Sequence, residues 1–146
     1  MASAGLGLEI RGDMGLNVFN SLSLLFLKQQ GVTAATVSPE LRHQQVRDLS
    51  KYLPCEAVVY GRLPLMITEN CPLRCSGQCS HGTGGTLTDR TGAEFPIIKD
   101  EASCRSVLLN GKKLWLLDKQ EELRNMGLWA LRLSFTTENT GEVNGV

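Results

Sequence analysis

The sequence lacks an excess of either charge: fifteen basic and fifteen acidic residues give a formal net charge of zero over 146 residues. That argues against a strongly basic nucleic-acid module, so no DNA partner is expected. It also lacks an apolar run long enough to cross a bilayer. The longest candidate, Leu22–Leu27, is far too short. The start, MASAGLGLEIRGD, has no basic region followed by an apolar stretch, so no secretory signal is expected. A Gly-x-Ser-x-Gly elbow and a His-Glu-x-x-His helix are both missing, and His43 and His81 are far apart, so neither a Ser–His–Asp triad nor a zinc-protease helix is supported. Gly82-Thr83-Gly84-Gly85 lacks the Lys-Ser/Thr of a phosphate cradle.

What the sequence does have is 42% hydrophobic residues, enough for a core, in a length that suits one domain. The expectation is a soluble, cytoplasmic chain with no membrane partner.

The first sixty residues read as strand, helix, strand, helix, strand. Gly5–Ile10 is a short apolar stretch. Asn20 or Ser21 caps a helix to about Gln30, and Gly31 stops it. Thr33–Val37 is small and β-branched, as a buried strand requires. Ser38-Pro39-Glu40 has the form of a helix start, Pro54 ends that helix, and Glu56–Tyr60 is the next strand. Short connections and strands apolar on successive positions imply parallel strands covered on both faces.

From Arg62 to Gly85 no period holds, which reads as a long functional loop. Thr86–Thr88 and Glu94–Ile98 flank Asp89-Arg90-Thr91-Gly92, a type I turn with Gly at the left-handed position, so a β-hairpin follows. Lys113–Leu117 reads as a strand, Asp118 with Glu121 as a capping-box helix start, Gly127 as its stop, and Trp129–Phe135 as a last strand before a polar, frayed tail. Trp115 and Trp129 are expected in the core. The fold class is therefore α/β: one domain over 1–146 with a partial (β/α) parallel sheet and a Cys-rich loop and hairpin at about 62–98. A complete eight-stranded barrel needs ~250 residues, so the sheet is either open or part of a barrel whose other strands lie elsewhere.

Chemistry concentrates in the cysteines. Of five, Cys71, Cys75, Cys79 and Cys104 fall within residues 71–104. Thiolates are soft ligands suited to zinc or iron–sulfur groups, and four is the usual number for either a [4Fe–4S] cluster or a Cys₄ zinc site. Three in series with a distant fourth favours the cluster; free cysteines in a loop are the bland alternative. His81 could replace one thiolate. Cys55, before a strand, reads as a small buried residue. Arg62, Glu69 and Asn70 lie beyond the Glu56–Tyr60 strand and are candidate substrate contacts, against the alternative of ordinary loop salt bridges. Asp13, Asn17, Glu138 and Asn139 are expected on the same face, while Glu56 begins the strand whose end runs into the Cys-rich loop.

Several segments resemble peptidase family U32, the collagenase-like proteases. They are Glu56–Met66, Glu69-Asn70-Cys71-Pro72, Leu87–Arg90, Phe95-Pro96, Cys104-Arg105 and Arg132–Glu138, with Leu16–Ser21 and Ser38–Leu41 upstream. The likeness covers about residues 8 to 140. It implies the C-terminal part of a TIM-barrel-like domain without its first strands. It also implies either collagen-degrading peptidase activity or a [4Fe–4S] cluster serving oxygen-independent hydroxylation of an RNA base or a quinone precursor. The family signature has His, Gly and Ala after the Glu-bearing strand, then two cysteines seven residues apart. Here Tyr60 replaces the His, Arg62 the Ala and Pro64 the first Cys, while Cys71 falls on the second. Cys75 is the inferred substitute ligand.

The expectation is thus an enzyme with Cys71, Cys75, Cys79 and Cys104 as ligands and a peptide, RNA or small-molecule substrate. A genuine peptidase is the alternative, and a non-catalytic Cys₄ zinc interaction module or inactive fragment is the third reading. The missing barrel half, another chain or a second copy is the expected partner.

Overall fold

The computed structural model describes residues 7–70, 72, 84–100 and 105–146. Cys71, Cys75, Cys79, Cys104 and His81 lie outside the described residues, as does the start of the first expected strand. The chain divides into two compact units, one of residues 1–60 and 115–133, the other of residues 61–114 and 134–146.

The first unit follows the expected alternation: β1 (Ile10–Gly12), α1 (Ser21–Gln29), β2 (Val32–Thr36), α2 (His43–Leu49) and β3 (Cys55–Gly61). β1 pairs with β2 and β2 with β3, both parallel. Strand β8 (Leu114–Trp115) and strand β9 (Ala130–Ser134) both pair with β3, and α3 (Gln120–Asn125) lies between them in sequence. The fold class is mixed α/β, consistent with part of a (β/α) arrangement. Ala34, Ala35, Thr36 and Val37 are buried in succession, because both faces of β2 are covered. Leu24 from α1, Val46 and Leu49 from α2, and Leu123 from α3 pack with Val59 and Cys55 in one apolar cluster.

The local signals act mostly as their chemistry demands. Asn20 caps α1 by accepting from the Ser23 N–H at 2.9 Å. Gly31 and Gly127 follow their helices at φ +87° and +64°.

Three expectations need correction here. α2 begins at His43, not at Pro39. Ser38 donates its N–H to the Val18 carbonyl at 3.0 Å and so belongs to the sheet, while the Leu41 N–H closes a turn on the Ser38 carbonyl. Asp118 does not cap α3, because the chain leaves β8 through a tight turn, Lys119 N–H to Leu116 O, and the helix starts at Gln120. Trp115 and Trp129 are about half exposed, at 49% and 50%, rather than core. Trp115 sits edge-on to Tyr60 at 5.5 Å, and the Arg11 guanidinium lies 4.6 Å from the Trp129 ring centre.

The second unit is an antiparallel sheet in the order β4 (Pro64–Thr68), β7 (Arg105–Leu109), β6 (Glu94–Asp100), β5 (Gly85–Thr88). The expected hairpin is β5–β6. Asp89 Oδ1 accepts from the N–H groups of Thr91 and Ala93 and from the Thr91 hydroxyl, and Gly92 adopts φ +84°. The stretch expected to be one long loop contains β4. A strand opening on proline is admissible at a sheet edge, where no N–H is needed at its first position. The tail is not frayed throughout: α4 (Thr140–Asn144) carries a reciprocal box. The Asn139 side chain accepts from the Glu142 N–H at 3.0 Å, and Glu142 accepts from the Asn139 N–H at 2.9 Å.

Candidate functional site

Strand direction organises the second unit. β4 and β6 run toward one end of the sheet, and β7 and β5 start from it. Thr68 pairs with Ser106, Asp100 with Arg105, and Gly85 with Ile97. Both cysteine-bearing stretches, 71–83 and 101–104, therefore attach to the same end. The first connects the two outer strands, and the second joins β6 to β7. The paired Thr68 and Ser106 are about 5 Å apart at Cα.

Two candidate substrate contacts form the shoulder of that end. Glu69 pairs with Arg105 at 3.3 Å, tying the residue beyond β4 to the first residue of β7. Both are exposed, so the pair positions more than it stabilises. Asn70 donates its N–H to the Thr68 hydroxyl at 3.1 Å, and that hydroxyl donates to the Asn70 carbonyl. The Ser106 hydroxyl is buried and has no partner among the described residues.

Arg62 is not brought to this group. It precedes β4, whereas Glu69 and Asn70 follow it. Its guanidinium donates to the carbonyls of Asn110 (2.8 Å) and Gly111.

Another polar group forms within the first unit. Arg132 of β9 pairs with Glu56 at 2.5 Å and with Asp13, and the Thr36 hydroxyl donates to Glu56 at 2.9 Å. The Asp13 carboxyl is held below its usual range by the Met14 N–H and by Arg132. Arg132 joins Asp13, which follows β1, to Glu56, near the start of β3, a link that local sequence signals do not announce. The place of Arg132 between two apolar residues of β9, Leu131 and Leu133, is the signal that could have found that residue. Asn17 adopts φ +46° and ends a short turn by donating its N–H to Met14 O at 3.0 Å.

Glu138 and Asn139 are taken up locally. Asn139 caps α4. The Glu138 side chain has no exposed surface and accepts from the N–H groups of Thr136 (2.7 Å) and Thr137 (3.0 Å) and from Lys113 (3.1 Å). Burial pushes its carboxyl up, but these donors outweigh burial and hold it at about 2.

Cys55 is fully buried and donates its thiol to the Leu53 carbonyl at 3.2 Å. Burial pushes the thiol pKa up, which keeps it protonated and unsuited as a ligand. His43 pairs with Glu122, and among the described residues it makes no hydrogen bond to a Ser or Cys. Among the described residues no group of three or more His, Cys, Asp or Glu is placed to hold a metal, and no helix is long and apolar enough to cross a membrane.

No curated protein and no solved structure matches this chain. The family model described as peptidase family U32 matches residues 1–145, essentially the whole length. The likeness carried by Glu56–Met66, Glu69–Pro72 and Arg132–Glu138 thus extends end to end, and the chain belongs to peptidase family U32.

Proposed function

We propose that this U32-family chain holds a [4Fe–4S] cluster through Cys71, Cys75, Cys79 and Cys104 and serves oxygen-independent hydroxylation, or the modification of an RNA or a small-molecule cofactor. The observation that carries the reading is the attachment of both cysteine-bearing stretches to one end of the β4–β7–β6–β5 sheet. The donor set suits it: four soft thiolates are the usual complement, and the buried Ser106 hydroxyl at that end, without a partner among the described residues, could donate to a cluster sulfur. When bound, such a cluster supplies one-electron transfer. The chain's own residues would do the rest. Glu69 and Arg105 hold the two shoulders together, and Asn70 presents its amide beside them as a substrate contact.

The test is iron and sulfide analysis with visible spectroscopy on anaerobically prepared protein. Cys→Ser at positions 71, 75, 79 or 104 should bleach the chromophore. A colourless protein with four free thiols after reconstitution would overturn the reading, and stoichiometric zinc would replace it with a Cys₄ interaction module. The family description favours a second reading, a genuine peptidase on collagen-like peptides. Gelatin cleavage that survives removal of iron would establish it. The exposed Trp129, Leu131 and Leu133 support a further barrel half or a second copy as partner. Light scattering showing only monomer would exclude self-association.

A further inference from the structure

The second unit contains an open cleft of about 700 Å³, a volume suited to a small organic ligand. Arg62, Lys99 and Lys113 contribute cationic side chains to its wall, with Thr137 and Glu142 beside them. Pro96, Ile97 and Ile98 supply an apolar portion. Lys113 is fixed by Glu138 at 3.1 Å and by Glu142 at 3.4 Å. Arg62 has no carboxylate partner among the described residues. Its Nη1 is anchored on the two backbone carbonyls of Asn110 and Gly111.

A guanidinium held in place by carbonyls keeps its full positive charge, because carbonyls orient it without neutralising it. As a cation lining the cleft, Arg62 suits a carboxylate or phosphate group, since both match the planar fork of arginine. The apolar strand residues nearby would cover the body that carries the anion.

We propose that this cleft binds a small molecule bearing a carboxylate or phosphate group, with Arg62 as the principal anion contact and Lys99 as a second cation. The lining takes in Gly84 and Gly85, directly after the 71–83 stretch, and Lys99, which pairs with Ser106, so the cleft borders the cysteine-bearing end and its occupancy is read by direct binding to the metal-free chain.

Isothermal titration of the full chain with inorganic phosphate and, separately, with succinate tests it. Saturable binding by either probe is expected. It should weaken about tenfold in Arg62→Lys, which keeps the charge but loses the fork. Lys99→Gln should weaken it too, while Lys28→Gln on α1 should leave it unchanged. Lys99→Gln decides the matter if Arg62→Lys does not fold. Phosphate alone binding identifies a phosphoryl ligand; succinate alone identifies a carboxylate. Absence of saturation with both probes, or equal weakening by Lys28→Gln, would overturn the proposal. So would tight binding of a single-stranded RNA that phosphate does not displace.

Discussion

The two units of this chain are stabilised in different ways. In residues 1–60 and 115–133, helices α1, α2 and α3 place leucines and Met126 against a parallel sheet, and Leu24, Val18 and Val59 are completely buried. In residues 61–114 and 134–146, Ile97 and Leu109 are the buried apolar side chains among the described residues. Strand β4 exposes Leu65, Met66 and Ile67. That unit relies instead on ladder hydrogen bonds, the Asp89 turn, the α4 cap and the Lys113 ion pairs. A sheet with so small a core is where a metal ligated by the proposed cysteines would contribute most to folding, because its binding energy is then folding energy.

The largest expected effect separates the two modes directly. Leu24→Ala should cost about 3 kcal/mol, since it leaves a cavity among packed side chains. Ile67→Ala, on the exposed edge, should stay within about 0.5 kcal/mol. Urea denaturation of the two variants measures the contrast, and equal losses would break it.

An intermediate effect belongs to the second unit and depends on pH. The Glu138 carboxyl sits at about 2 against an ordinary 4.5. A depressed carboxyl contributes stability that is full above the unfolded value and is lost as pH falls from there through the folded value. Glu138→Gln should therefore lower stability at neutral pH by about 1–2 kcal/mol, a figure reduced for the solvent screening at Lys113. It should also flatten the stability profile between about pH 5 and 2. Thermal melts across that range check both, and an unchanged profile would remove Glu138 from the account of this unit.

The smallest effect sharpens the first half of the comparison. Asn20→Ala removes the acceptor for the Ser23 N–H and should cost about 1 kcal/mol, while Asn20→Ser should restore most of it. Chemical denaturation of the pair distinguishes a lost cap from lost packing.

The legibility of the sequence follows the same division. In the first unit, Asn20, Gly31 and Gly127 act over a few residues, and successive apolar positions in β2 and β3 report burial on both faces. These are local causes, so alternating strands and helices were readable. Ser38-Pro39-Glu40 misled because the Ser38 N–H goes to the Val18 carbonyl, a partner twenty residues away. In the second unit, β4 and β7 were not readable as a pair. β4 opens on proline and its apolar residues face outward, so no alternation marks it. The Asn139–Glu142 box was written in the residues, but a tail with so few apolar side chains gave no reason to expect a helix. The candidate cysteines were legible as a donor set, whereas the shared sheet end to which their segments attach was not.

Residue chemistry by itself determined the donor types, the Asn20 cap, the turn at Asp89–Gly92 and the family, since each depends on side-chain identity at short spacing. Tertiary structure alone decided that Arg132 joins Asp13 to Glu56, that Lys113 meets Glu138, and that Arg62 is held apart from Glu69 and Asn70. Those outcomes depend on strand register and direction, which bring together residues up to 119 positions apart and which no local pattern encodes.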